Sequence, residues 1–290
     1  MAKRNRLTVF YSEKLNAPDL NEQSPSAGKP KLVVQNWSNA DLDISIYPPE
    51  PVTTADLEKV HSPKFVRDVL ACERKNGYGN RDPQTAASLP YVSGAMYDAA
   101  KYAYENNTIA VAPVVGFHHA EWDKATMFCT FNGFVVAAVK MLEEFDLNRV
   151  GILDCDHHKG NGTNSLIEKF KLHDKIHHYS AGYDYGWKSD RGKFFETLPS
   201  TLETFRGIDL VIYKAGADPH VDDPKGGWLT TEDLKMRDEI VFDFFGKNKI
   251  PVAWDLGGGY GKMEEVLKIH RNTAIAATNA LHYYSDNGEA

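Results

Sequence analysis

The sequence of 290 residues has no stretch approaching the ~20 apolar residues that a bilayer-spanning helix needs. Its first seven residues are basic but lack the apolar run of a secretory leader, which points to a cytoplasmic protein. Lysine and arginine are scattered and the formal net charge is -7, so the basic patch that phosphate backbones demand is missing. Neither nucleic acid nor a membrane is an expected partner. An acidic chain suits a cationic substrate better. Cysteine is scarce: Cys72, Cys129 and Cys155 contain no CxxC pair, and the odd number argues for free thiols over a disulfide framework. No proline- or serine-rich linker and no internal repeat divides the chain, so residues 1–290 read as one domain.

What the sequence does have is alternation. Residues 6–11 (RLTVFY) read as a first strand, and 12–43 as polar loop with some helix. Helices follow, one opened by the capping residues Thr53 and Thr54, one over 64–75 and one over 85–104, with a glycine-rich loop at 76–83 between the last two. Apolar runs at 110–115, 149–155, 176–180, 209–215 and 251–256 then alternate with helices, including 133–145, 230–246 and 262–284. Near-continuous apolar strands separated by helices predict an α/β fold of three layers, with a mostly parallel sheet covered on both faces. In such sheets a site forms at the carboxyl ends of the strands.

Four polar clusters stand at those ends: His118-His119, Asp154 to His158, Gly216-Ala217-Asp218 and Gly257 to Tyr260. Side chains two apart share a face of a strand, so Asp154, Asp156 and His158 are candidates for one pocket. Two carboxylates and an imidazole make a zinc ligand set, and Asp218 can complete it while leaving a position for water or substrate. Ferrous iron suits the same ligands, and a hydrogen-bonded aspartate pair is the plainer alternative. One histidine of the 118–119 pair can act as general base, with Asp154 and Asn161 available to fix the rings. Gly257-Gly258-Gly259 lets backbone approach closely, and Tyr260 after it can donate to a developing oxyanion. That run lacks the Gly-x-Gly-x-x-Gly of a dinucleotide site.

The ordered motifs GFHHA (116–120), FC (128–129), DCDHHKGNGT (154–163), AGAD (215–218) and LGGGY (256–260) resemble the histone deacetylase superfamily, which includes acetylpolyamine amidohydrolases and acetoin-utilisation-type proteins. LEKVHSPKFVRDVL (57–70) resembles its early helix signature. The resemblance implies an arginase/deacetylase-like fold. It also implies a zinc-dependent amidohydrolase that removes an acyl group from an acyl-lysine protein or acetylpolyamine through a metal-activated water. Residue by residue, it implies Asp156, His158 and Asp218 as zinc ligands, with His119 as general base oriented by Asn161. His118, backed by Asp154, becomes the electrostatic partner of His119, and Tyr260 polarises the carbonyl. Phe128, Met127 and Gly258 line the substrate path, and Asp82 sits at its rim. A structural potassium site near Asp154 is implied as well.

The chain departs from the family at Met127, where glycine is usual, and at Lys159. Asp255 has no evident role, and the second aromatic wall falls to Tyr183 or Tyr185. A non-catalytic acyl-lysine binding protein is the alternative outside enzymes. A two-manganese ureohydrolase would need bridging aspartates of a DAHxD kind, which are lacking.

Overall fold

In the computed structural model, residues 6–17, 27–40 and 42–285 are described. Seven strands form one all-parallel sheet in the order β2-β1-β3-β7-β6-β4-β5. They are β1 Leu7–Phe10, β2 Ile44–Tyr47, β3 Ile109–Ala112, β4 Val150–Asp154, β5 Ile176–Ser180, β6 Leu210–Lys214 and β7 Val252–Asp255. The helices are α1 Lys29–Asn39, α2 Thr54–Glu58, α3 Pro63–Leu70, α4 Pro83–Glu105, α5 Gly133–Glu144, α6 Asn161–Lys169, α7 Arg191–Glu203, α8 Thr231–Lys247 and α9 Met263–Ala280.

The apolar strands sort their side chains by parity. Val211 and Tyr213 of β6, with Val252 and Trp254 of β7, face a core shared with Trp37, Phe194, Phe242 and Phe245 from α1, α7 and α8. Leu210, Ile212 and Ala253 face the opposite core, built with Phe65, Phe134 and the alanines of α4. Helices thus cover both faces, and the expected three-layer α/β architecture is the one observed. The strand over 6–11 and those from β3 onward fall where the apolar runs place them. The edge strand β2 and helices α6 and α7 were not anticipated. Strand β2 is short and its side chains are half-buried or exposed, so no apolar run marks it. Among the described residues no helix is long and apolar enough to cross a membrane.

The helix starts follow capping chemistry. Thr53 accepts from Asp56 N at the head of α2, and Thr230 does the same for Asp233 N at the head of α8, each with the reciprocal carboxylate bond of a capping box. Asp233 also pairs with Arg191 at the head of α7, so one carboxylate joins two helix ends. Replacing Thr230 by alanine is expected to destabilise the fold by about 1 kcal/mol, read from the urea midpoint. An unchanged midpoint would show that Arg191 alone holds Asp233 in place.

Candidate active site

The register aligns Ala112, Asp255, Lys214, Asp154 and Ser180 across the sheet, on β3, β7, β6, β4 and β5. Parity sends Asp154, Lys214 and Asp255 to the side of Ile152, Ile212 and Ala253. Three charged groups therefore meet at the carboxyl ends of adjacent central strands, all buried. The four polar clusters lie just beyond this row.

Strand β4 ends at Asp154, and the chain then turns. Asp154 Oδ1 accepts Asp156 N at 3.0 Å, and Asp156 Oδ1 accepts His158 N at 2.9 Å. The turn keeps Asp156 and His158 in contact and sends Asp154 elsewhere, so the strand-alternation argument holds for two of the three side chains. Asp154 instead accepts from His118 Nδ1 at 2.7 Å. Asp156, His158 and Asp218 come together, with one ligand-type atom from each within 4.8 Å of the others. His158 Nδ1 lies 2.8 Å from Asp218 Oδ2 and 3.1 Å from Asp156 Oδ1.

These carboxylates are buried in one low-dielectric spot and cannot both ionise freely. Burial and then the charge of Asp156 push Asp218 up to about 6. Burial also opposes charge on Asp156, but His118, Lys214 and His158 hold it well below the usual carboxylate range. Burial disfavours the imidazolium of His158, yet its hydrogen bonds to Asp156 and Asp218 push it up to about 10. The cluster attracts positive charge.

His119 stacks on His118 with ring centroids 4.1 Å apart, and its Nδ1 donates to Asn161 Oδ1 at 2.7 Å. Burial, then the neighbouring His118, pull His119 down to about 4, so it is neutral at physiological pH. Its Nε2 is then the acceptor nitrogen. The His119 ring is 5.9 Å from that of His158, which is 6.4 Å from Tyr260. Burial and then Asp218 raise the Tyr260 phenol well above its usual range, so it keeps its proton.

Gly258, at φ 48°, presses directly on the Asp218 carboxylate, and a β-carbon there would overlap it. Its carbonyl accepts from the buried Lys29, as does that of Leu256 at 3.3 Å. Phe128 stands between Tyr260, at 5.6 Å, and Tyr78, at 6.3 Å. Met127 adopts φ 48°, a left-handed backbone that suits glycine, and its side chain is 51% exposed. Asp82 caps α4, its Oδ2 accepting from Thr85 N and Oγ1. Of the two tyrosines weighed as a second wall, Tyr185 is buried against Phe194 and Trp228. Tyr183 is half-exposed, with the Lys159 ammonium 5.5 Å from its ring.

Lys214 escaped the sequence reading, although a lysine inside the apolar run VIYKA was a visible signal. Its ammonium donates to Gly116 O at 3.2 Å and lies 3.6 Å from Asp156 and 3.9 Å from Asp255. This gives Asp255 a place. Burial raises Asp255 to about 7 while Lys214 opposes the rise. Lys29 carried no signal, since it lies in a polar stretch. Burial and Lys214 lower it to about 7.

A model of the histone deacetylase domain matches residues 26–187. The probable deacetylase of Methanothermobacter thermautotrophicus is 24% identical over 293 residues, covering 88% of this chain and 86% of that protein. Histone deacetylase 18 of Arabidopsis thaliana is 28% identical over 229 residues, covering 60% of this chain and 33% of the plant protein, so this chain spans about a third of its length. The solved HDA15 HD domain superposes with a TM-score of 0.75 at 19% identity, over 99% of this chain and 92% of that one. At that identity the likeness speaks to the fold.

Lys214→Met leaves Asp156 and Asp255 buried without their shared cation. The expected loss is about 3–5 kcal/mol, measured by urea unfolding, with part of it recovered by adding Asp255→Asn. A loss below about 1 kcal/mol would mean that protonation, rather than Lys214, neutralises Asp255.

Proposed function

The chain belongs to the histone deacetylase domain family, and from its site we propose that it is a zinc-dependent deacylase hydrolysing the amide of an acylated amine. The observation that carries this reading is the convergence of Asp156, His158 and Asp218 beside a neutral, Asn161-oriented His119 and a protonated Tyr260. The ligand set fits zinc: two buried carboxylates supply charge, one imidazole supplies a borderline donor, and the left-handed Gly258 makes room against Asp218. A zinc ion held there supplies positive charge that polarises the amide carbonyl and acidifies a water. Potassium rests on the resemblance alone.

The chain's own residues divide the remaining work. Asn161 fixes His119 as the Nδ1–H tautomer, leaving Nε2 to take a proton from the attacking water and return it to the departing nitrogen. His118, donating to Asp154, supports the charge that His119 gains. Tyr260 donates its phenol proton in a hydrogen bond to the carbonyl oxygen as negative charge develops there. Phe128 and Tyr78 flank the path with apolar rings.

Zinc-loaded protein is expected to hydrolyse acetyl-lysine peptides or small acetylated amines, and chelation should abolish the activity. Tyr260→Phe should lower kcat by roughly 100-fold or more at unchanged zinc content of one ion per chain. Turnover that survives both treatments would sink the mechanism. Stoichiometric zinc and acyl-lysine binding without turnover of any acetyl or longer acyl amide would establish the non-catalytic binder instead.

A further inference from the structure

The segment between β6 and α8 is stapled to the site. Buried Asp223 accepts Lys225 N at 2.9 Å through Oδ1, and Tyr260 N at 2.7 Å and Gly261 N at 3.2 Å through Oδ2. Gly226 packs on the backbone carbonyl of Asp218, where a β-carbon would overlap. One carboxylate thus ties Lys225 to Tyr260, and the next residue ties the loop to Asp218. The result is an ammonium 5.4 Å from the Phe128 ring and 5.4 Å from the Tyr260 ring. Asp223 is occupied by backbone amides and Asp222 faces solvent. Lys225 forms no ion pair among the described residues.

We infer that the acylated amine taken by this site carries an anionic group, a carboxylate or phosphate, on its amine side, and that Lys225 receives it. The inference rests on the deacylase reading, because that reading puts the amide at the floor, against Asp156 and Asp218. Those residues are buried, whereas Lys225 is only partly so. A substrate reaching the floor must therefore run its amine half outward past Phe128, Tyr260 and Lys225. An ammonium on that half, as in an acetylpolyamine, meets a cation there. A carboxylate meets a partly buried ammonium whose backbone is held beside the site and which lies near two rings.

The net charge of -7 pulls the other way, toward cationic substrates. Charges farther than about 8 Å are largely screened at physiological salt, so the mouth's own groups, the Lys225 ammonium and the amide-bound Asp223 beneath it, outweigh the net charge, and of the two it is Lys225 that is partly open to the substrate. A single such contact at intermediate dielectric is worth roughly tenfold in kcat/KM between matched anion and cation.

The test compares three acetamides of matched length on the zinc-loaded chain: acetylhexylamine, acetylaminohexanoate and monoacetylcadaverine. Acetyl-lysine peptides flanked by glutamate or by lysine run alongside. The anion is expected first and the cation last in kcat/KM. Lys225→Met should level the series and Lys225→Glu should invert it. Binding constants of the same compounds for the Tyr260→Phe chain should follow the same order. A preference confined to the small compounds places the anion on the amine itself, and one confined to the peptides places it on a neighbouring residue. A cation-first order, or a ratio unmoved by Lys225→Glu, overturns the inference while leaving the deacylase reading intact. If the native chain hydrolyses no acetamide, the deacylase reading falls instead, and the binding order alone decides what Lys225 selects.

Discussion

Buried negative charge is the constraint on which this structure turns. Asp154, Asp156, Asp218 and Asp255 are all sealed from solvent at or just beyond the ends of central strands. Removing one carboxylate from water costs several kcal/mol unless a partner compensates, and here four sit together. Each has its own compensation. Asp154 accepts from His118 and Asp156 N, and Asp156 is held by His118, Lys214 and His158. Asp218 accepts from His157 N and His158, and Asp255 faces Lys214. The parallel sheet makes this affordable, because its register delivers the cation Lys214 between Asp154 and Asp255 without any loop having to bend.

The same constraint explains which parts of the molecule could be read from sequence. Strands β4, β6 and β7 announced themselves because both faces are covered and every position is apolar until the last. Their polar ends were visible for the same reason: a charge closing an apolar run is conspicuous. Strand β2 has one sheet neighbour and half-buried or exposed side chains, so no pattern marks it. The chain turn after Asp154 was invisible as well. It depends on side chains accepting backbone amides two residues on, a local hydrogen bond that competes with the strand and that periodicity does not report.

Positions set by long-range contacts were the hardest to see. Lys29 lies at the start of α1, over two hundred residues from the carbonyls of Leu256 and Gly258 that it holds. Nothing in KPKLVV separates it from the exposed lysine two residues later, Lys31. Asp223 and Lys225 sit in DDPKGG, which reads as an ordinary polar turn. Their meaning depends on where Tyr260 arrives from another strand. Asp82 shows the converse, since the helix cap it forms depends only on its near neighbours in NRDPQT.

Lys29 and Asp223 also bear on how the site keeps its shape. The glycine loop after β7 must place Gly258 against Asp218 and Tyr260 facing Phe128, and glycines alone leave that path soft. Lys29 grips the loop through two carbonyls from the α1 side. Asp223 grips it through two amides from the β6–α8 side. Donors on one flank and an acceptor on the other fix the loop's position together with Gly257 O, which accepts from Ala217 N at 2.9 Å. This leaves the glycines free to admit the carboxylate of Asp218, which bulkier residues would displace. The position of the tyrosine is then a property of three segments at once, which is why no single motif in the sequence could have specified it.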